Sequence, residues 1–251
     1  MAGDDTFTAS PGHHLRYLKG SSMKHRELRY DIDYITADGA KRGQEPCTVT
    51  VHSDGQRTIR ARSEIFDTEI VRDVVYTVDA TFRPIDCFIR VRQFEKVIGS
   101  TWFSFDGAMA ECQGLTANEG RIAQRFDLAA VPESFITHAV STDVWHCANI
   151  KKDPNLGLQL IDPIPSCSPL ANGASGPMLG LWPMTAEYIG VETIDVPAGT
   201  FEAEHVRYVE LDGSLWLEMW CTNDADRVML KMHYPVYDSS YVLASLYRDA
   251  N

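Results

Sequence analysis

The segment IDVPAGTFEAEHVRYVELDGSLWLEMWC, from Ile194 to Cys221, has the pattern of two β-strands joined by a turn at Asp212-Gly213. Residues two apart along a strand point to the same side of a sheet. On this spacing, charged and aromatic side chains share one face of each strand: His205, Arg207, Trp216, Glu218 and Trp220. Such a face is either the wall of a binding cavity or the solvent side of a sheet.

Similar short runs fill much of the chain from Leu28 onward. ELRYDIDYI alternates in polarity, CTVTVHS ends at Asp54-Gly55, which is a strong hairpin signal, and RTIRARSEI follows it. Regular short strands separated by Gly, Asp and Pro are typical of an antiparallel sheet that curls into a sandwich or barrel. We therefore predict a mainly β fold, a curled antiparallel sheet or barrel, in a single domain over residues 1–251, with a partly flexible N-terminal tail over residues 1–27.

One segment departs from the strand pattern. In PESFITHAVSTDVWHCANI the apolar residues Ile136, Val140 and Val144 recur every four positions, which is helical spacing. The proline and glutamate that precede them are typical of a helix start. The spacing predicts one helix over residues 133–150.

The next segment, residues 151–187, is rich in proline and glycine and shows no regular periodicity. Its apolar residues, Trp182 among them, argue against a free linker. Long loops inside a compact domain are often functional lids. We therefore predict that this segment forms a lid-like loop over a cavity and that Trp182 contacts the bound molecule.

The acidic composition limits the range of partners. The 251 residues carry a formal net charge of -12, with a sequence pI ≈ 5.0. Nucleic acid and anionic membrane surfaces are disfavoured as partners, because their phosphates would be repelled. The start, MAGDDTFTASPGHH, lacks a positive and apolar leader pattern, and no run of about 18 apolar residues occurs. We expect a soluble, cytoplasmic protein.

Motifs for metals and cofactors are missing from the sequence. The six cysteines are far apart without a C-x-x-C pair, and the eight histidines form no H-x-x-x-H pair. Neither a phosphate-binding glycine loop nor a G-x-S-x-G nucleophile elbow occurs. We predict reduced, mostly buried thiols, no metal and no cofactor, so that any chemistry is cofactor-independent.

Residues 196–201 form a V-P-A-G-T-F segment, and the aromatic hairpin and basic strand of LWLEMWCTNDADRVMLKMHY follow it. In these features the C-terminal third resembles a family of bacterial proteins of unassigned function. The resemblance implies a strongly curved antiparallel sheet, lipocalin-like or lipoprotein-carrier-like, wrapped around a helix or a ligand. The whole chain is also similar in general character to cytoplasmic bacterial enzymes that dismantle lignin-derived aromatic dimers without a cofactor, some with release of formaldehyde.

Asp143 and His146 are the first candidate catalytic pair. At a spacing of three residues they would share one face of the predicted helix. A carboxylate beside an imidazole can raise the imidazole pKa and fix its tautomer, which suits a general base. The alternative is a solvated polar face or a structural histidine.

The second candidate group lies on the C-terminal strands. Glu218 is expected near Lys231 across a hairpin, with aromatic neighbours that would shift their pKa values in a partly desolvated cavity. The predicted catalytic residues here are Glu218, Lys231 and His233, and the predicted substrate-binding residues are His205, Trp216 and Trp220. The alternative is an outer face with cross-strand ion pairs.

A third group consists of arginines that share a face with Phe88 and Phe94. Pointing inward, Arg90 and Arg92 could bind a carboxylate or phenolate; pointing outward, they would serve solubility. Together these candidates predict a cofactor-independent lyase or isomerase for a bulky aromatic or hydrophobic small molecule, with aldol-type release of formaldehyde from a lignin-derived aromatic as one form. The alternatives are a non-catalytic carrier of a hydrophobic ligand and a scaffold without a cavity. Homo-oligomers are compatible with each hypothesis.

Overall fold

The computed structural model of the chain describes residues 25–170, 175–210 and 213–249. Eight strands connected by short turns form the first half: β1 (Arg26–Thr36), β2 (Lys41–Val51), β3 (Arg57–Ile65), β4 (Ile70–Val78), β5 (Pro84–Gln93), β6 (Lys96–Asp106), β7 (Met109–Thr116) and β8 (Gly120–Asp127). Six strands form the second half: β9 (Leu158–Ser166), β10 (Gly180–Val196), β11 (Gly199–Val209), β12 (Leu215–Thr222), β13 (Met229–Tyr234) and β14 (Ser239–Arg248). Most of the predicted tail, residues 1–24, lies outside the described residues, whereas residues 26–27 belong to β1.

All 14 strands belong to one antiparallel sheet. Within each half every strand pairs with its sequence neighbour, and the pairing of β1 with β14 joins the two halves. The sheet therefore runs from β8 at one edge to β9 at the other, and it is curled but not closed. The predicted curled antiparallel sheet is confirmed.

Alternating burial along the strands shows which face of the sheet packs against the core. In β3, Ile59 and Ala61 are buried, while Arg60 and Arg62 between and after them are exposed. The hairpin predicted before this strand is present, and Gly55 adopts φ +88°, a conformation that costs glycine little. In β1, β2, β3 and β5 of the first half, one face is thus largely buried and the other more exposed.

Residues 132–150, the central segment, supply part of the core between these strands. Phe135 is buried with its ring centroid 5.1 Å from that of Phe103. Trp145 is buried 5.8 Å from Tyr76 and 5.6 Å from Phe82. Aromatic pairs at such distances stabilise a core beyond their buried area.

The single helix predicted over residues 133–150 is wrong. The regular element in this described stretch is a 3-10 helix over Val140–Trp145. Thr137 Oγ1 accepts a hydrogen bond from the Ala139 N–H at 3.0 Å, and Thr142 Oγ1 donates to the Ala139 carbonyl at 2.9 Å. Such local side-chain bonds to the backbone compete with an α-helix.

The buried carboxylate of Glu45 on β2 fixes the 3-10 helix to the sheet. Its oxygens accept hydrogen bonds from the backbone N–H of Val140 at 3.2 Å and of Ser141 at 2.9 Å. The hydroxyls of Tyr34 at 2.7 Å and Ser63 at 2.5 Å donate to it as well. A negative charge beside the free N–H groups at the start of a helix is favourable. The Glu45 carboxylate is fully buried, and these four hydrogen bonds satisfy its oxygens.

The lid-like loop predicted over residues 151–187 is also corrected, because β9 and the start of β10 occupy much of it; its residues 171–174 lie outside the described residues. Pro165 is tolerated because β9 is the last strand of the sheet, where a missing N–H costs little. Pro183 falls where the register of β9 and β10 shifts between Trp182 and Met184. Proline at an edge and at a register shift therefore concealed two strands.

In the described part of the chain, the helices are three short 3-10 segments. None of them is long and apolar enough to cross a membrane.

Candidate functional site

A cavity of about 410 Å³ lies between the central segment and inner side chains from both halves of the sheet. The central segment contributes mainly polar groups to its lining: Thr137, His138, Asp143 and His146. The strands contribute mainly apolar and aromatic groups: Ile70, Trp182, Met184, Trp216, Met232 and Tyr241. An apolar cavity of this size with a few convergent polar groups has the character of a small-molecule site.

Asp143 and His146 both line this cavity. The Asp143 Oδ1 atom lies 3.4 Å from His146 Nε2. A 3-10 helix has three residues per turn, so that positions three apart are eclipsed. The pair therefore shares a face even though the α-helix that motivated it is absent.

Ser134 holds the imidazole from the opposite side. Its Oγ atom lies 2.5 Å from His146 Nδ1, and Ser134 is fully buried. When the hydroxyl donates to Nδ1, neutral His146 carries its proton on Nε2, facing Asp143; when it accepts, Nε2 is free to take a proton. In either case the ring orientation is fixed.

Burial raises the pKa of the Asp143 carboxyl above its usual value, and the adjacent His146 opposes part of that rise. Asp143 Oδ1 also lies on the cavity side of a ring that Ser134 anchors. A buried carboxyl beside an oriented imidazole is an arrangement that general acid–base catalysis uses. The two side chains are thus placed within contact distance of each other at the cavity.

Arg42 lines the cavity because the pairing of β1 with β2 is irregular at this residue. The pairing of β1 and β2 passes from Tyr34–Gly43 to Ile35–Lys41, which leaves Arg42 with no residue opposite it in β1. A β-bulge of this type re-aims the side chain of the extra residue. Arg42 consequently lines the cavity, although the regular alternation of β2 would direct it outward.

Arg72 lies on the inner face of β4, in phase with the buried Val74 and Tyr76. Its Nε atom is buried without a hydrogen-bond partner, and so is the Nε atom of Arg42. Arg42 forms an ion pair with Asp67, with Arg42 Nη2 3.3 Å from Asp67 Oδ2. Among the described residues, no hydrogen bond or ion pair holds the Arg72 guanidinium. Two guanidinium groups therefore border the cavity with unused donors.

Two of the predicted aromatic residues also reach the cavity. Trp182 on β10 lines it and donates its indole N–H to the Ser168 carbonyl at 3.0 Å. Trp216 on β12 lines it and donates its indole N–H to the Tyr234 hydroxyl. Both rings are held by their hydrogen bonds and present apolar surface to a ligand.

The rest of the face predicted around Trp220 and Glu218 lies on the outer side of the sheet, which corrects the expectation of a cavity wall. In β12 the buried inner residues are Leu217 and Met219, and Glu218 and Trp220 alternate with them. Glu218 Oε1 lies 2.6 Å from Arg207 Nε across the strands. Glu218 is thus part of a cross-strand ion pair, the alternative that the sequence had left open.

Trp220 and its neighbours form a second cluster on that outer side. The His205 ring stacks on the Trp220 ring with centroids 4.3 Å apart, and Lys231 Nζ lies 5.1 Å from the same ring. Burial lowers the pKa of His205, and the carboxylates of Glu218 and Glu192 oppose the shift. The structure brings these residues together, but away from the cavity lining.

His233 lies opposite Glu218 in the pairing of β12 with β13, on the same outer side, with its Nδ1 atom 3.2 Å from Ser240 Oγ.

The arginines predicted to bind a carboxylate or phenolate, Arg90 and Arg92, do not point into the cavity either. Arg90 is exposed on β5, with its guanidinium 5.8 Å from the Phe88 ring. Arg92 is half-exposed on the same face and donates to the Glu95 carbonyl at 3.0 Å. Neither arginine lines the cavity.

Among the described residues, no group of three or more His, Cys, Asp or Glu side chains is placed to hold a metal ion. His13 and His14 lie outside them.

The fold is that of a β-barrel-like protein with an unclosed sheet. No family model matches the chain, and no curated protein matches it. Among solved structures, a β-barrel-like protein of the domain of unknown function DUF1849 from Brucella abortus superposes with a TM-score of 0.51 at 10% identity, covering 91% of this chain and 98% of that one. A DUF1089 family protein from Pseudomonas aeruginosa gives a TM-score of 0.39 at 12% identity, covering 93% of this chain and 98% of that one.

At such low identity the likeness to the Brucella protein concerns the fold. It agrees with the coarser expectation from the sequence, a curved-sheet protein of unassigned function. The V-P-A-G-T-F segment as the mark of a family stays a prediction. Here the segment forms the tight turn from β10 to β11, where Gly199 adopts φ +136°.

Sequence reasoning missed Arg42, Arg72 and Glu45. A usable signal existed for Arg72, since IVRDVVYTV places it in phase with Val74 and Tyr76 on the apolar face. Arg42 could not be assigned, because the bulge that re-aims it depends on pairing with β1.

Proposed function

We propose that the protein is a cofactor-independent lyase or isomerase that acts on a bulky aromatic or hydrophobic small molecule in the interior cavity. The observation that carries the proposal is the Asp143–His146 pair, oriented by Ser134 and facing an apolar cavity of about 410 Å³. Acid–base chemistry needs a positioned proton acceptor close to a desolvated substrate. The cavity provides both requirements.

In the proposed reaction, the Asp143–His146 pair takes a proton from a substrate hydroxyl or carbon. For an aldol-type cleavage, the hydroxyl loses its proton, the adjoining C–C bond breaks and a small aldehyde such as formaldehyde leaves. The electron pair of that bond passes to the remaining carbon and its conjugated system, which the pair then protonates. A lignin-derived aromatic carrying a hydroxymethyl group is the substrate that this scheme favours.

The test compares turnover of hydroxymethyl-bearing aromatic dimers by the wild type and by Asp143→Asn and His146→Gln variants. We predict that each variant lowers kcat by about 100-fold or more, the usual contribution of general acid–base catalysis. Glu218→Gln is the matched control, because it removes a carboxylate of the outer ion pair, and its kcat should stay within about twofold of the wild type. Unchanged turnover in both cavity variants would sink the assignment.

A second candidate function is that of a carrier for a hydrophobic ligand. It is favoured by the apolar side chains that dominate the strand contribution to the cavity, such as Met184, Leu217 and Met232. A carrier would bind its ligand equally well in the Asp143→Asn variant and would return it chemically intact. Recovery of the intact compound from the wild type therefore separates the two functions.

A further inference from the structure

We propose that Arg42 and Arg72 form an anion-binding subsite at one side of the cavity, and that the molecule it receives is a bulky aromatic or apolar carboxylate. This inference rests on the proposed function and deepens it, because it assigns a charge to the ligand of the same cavity. Neither arginine was a candidate on sequence grounds, and the arginines that were, Arg90 and Arg92, lie on the outer face.

The first argument is the set of unused donors. A guanidinium has five N–H donors, and buried polar groups in proteins are almost always hydrogen-bonded. The Nε atoms of Arg42 and Arg72 are both buried without a partner. Arg42 has Asp67 as an ion-pair partner, whereas the buried Arg72 Nε atom has no acceptor and no ion pair involves Arg72 among the described residues. A ligand anion would supply the missing acceptors.

The second argument is the convergence of the two charges. Burial raises the pKa of Tyr241, the positive charges of Arg42 and Arg72 oppose that rise, and the smaller effects of Asp143 and Glu45 add to it. The two guanidinium groups therefore act on the same point of the cavity, although they come from different strands, β2 and β4. Arg42 has Asp67 as an ion-pair partner at 3.3 Å, whereas no described residue forms an ion pair with Arg72. In a protein with a net charge of -12, this side of the cavity therefore keeps positive charge available for an anion.

The third argument identifies the anion. The planar fork of a guanidinium matches a carboxylate in two parallel hydrogen bonds. A phenol with an ordinary pKa near 10 is neutral at physiological pH and would bring no charge to the subsite. The remaining lining, including Trp182 and Met232, is apolar. A carboxylate on an aromatic body satisfies both parts of the cavity.

The test measures binding of a biphenyl carboxylate and of the corresponding neutral biphenyl carboxamide by isothermal titration calorimetry. We predict that the wild type binds the carboxylate at least about tenfold more tightly than the carboxamide, as expected for charge-assisted hydrogen bonds. Arg72→Met should weaken carboxylate binding by about tenfold or more and change carboxamide binding by less than about twofold. Arg42→Met should act in the same direction.

Arg90→Met is the matched control, because it removes the same charge from the exposed face of β5 and should leave both affinities unchanged. If Arg72→Met does not fold, Arg72→Lys retains the charge without the fork and should keep only part of the preference. Equal binding of the two compounds by the wild type, absence of carboxylate binding at millimolar concentration, or a preference that survives both methionine variants would overturn the subsite. Such failures leave the role of Asp143 standing, because that role is measured by turnover.

Discussion

Asp143 is the residue on which the proposed chemistry depends, and its burial makes the folded protein less stable when the carboxyl is ionised. The carboxyl is largely withdrawn from water, with 18% of its side chain exposed, and His146 is its near neighbour at 3.4 Å. Burial raises its pKa, so that the proton is held more tightly in the folded than in the unfolded chain. A group of this type makes folding less favourable wherever it must ionise.

This cost has a predictable pH dependence. It is absent below the unfolded-state pKa, for which 3.8 is the usual value, and it develops as the pH rises through the raised folded-state pKa. We predict that Asp143→Asn removes the cost, so that the variant gains stability relative to the wild type between about pH 3 and about pH 7. Urea unfolding of both proteins at the two pH values measures the change. A relative stability of the variant that falls toward neutral pH would contradict the raised pKa.

Single residues also mark how far sequence reasoning reaches. The Asp143–His146 pair was predictable because a spacing of three brings side chains together in either type of helix. Arg72 was predictable in principle from its phase with Val74 and Tyr76. Arg42 was not, since its direction depends on a bulge created by pairing with a distant strand.

At the scale of elements, the central segment behaves as part of the core. Its fourfold apolar spacing suggested an α-helix, but Phe135 and Trp145 are buried against strands on several sides. Apolar residues recur in a segment that packs in the core whatever its secondary structure, so that this spacing did not distinguish an α-helix from an irregular core segment. Local hydroxyl bonds at Thr137 and Thr142 then favour a short 3-10 helix.

Glu45 is predicted to hold this element in place. Glu45→Gln replaces one carboxylate oxygen by an N–H donor, so that the groups bonded to that oxygen lose their acceptor: Ser141 N–H at Oε1, or Tyr34, Ser63 and Val140 at Oε2. We predict a loss of about 3 kcal/mol in the free energy of unfolding, because buried donors are left unsatisfied. Glu64→Gln, on the partly exposed face of β3, should cost less than about 0.5 kcal/mol. Equal stability of the two variants in guanidinium unfolding would show that Glu45 does not anchor the segment.

At the scale of the whole molecule, the sequence predicted a curled antiparallel sheet but could not orient it. Period-two alternation tells which residues of a strand share a face, not which face turns inward. For β12 both faces carry large apolar side chains, Trp220 on one and Leu217 and Met219 on the other. Trp216 falls at the register shift between β11 and β12 and lines the cavity, although simple alternation would place it with Trp220. The sequence of β12 therefore does not show which face points inward, because that depends on how the two halves of the sheet join through β1 and β14.

The curled sheet also encloses the thiols. All six cysteines are free and buried. Because a thiol must reach solvent and ionise before it reacts, we predict that the native protein reacts with a disulfide reagent only as fast as it unfolds. The measurement is the rate of thiol release in buffer and in denaturant. Rapid labelling of one or more cysteines in buffer would show that part of the sheet opens readily.

The most direct measurement of the central claim, that the interior cavity is a site of acid–base chemistry, is a thermal-shift screen of aromatic dimers, terpenoids and fatty acids, coupled to mass spectrometry of each mixture. We predict that a hydroxymethyl-bearing aromatic stabilises the wild type and is consumed, with release of an aldehyde, and that it stabilises Asp143→Asn and is recovered intact. A stabilising compound that the wild type also leaves intact would contradict the enzyme and favour the carrier. A panel in which no compound raises the melting temperature would contradict a binding cavity altogether.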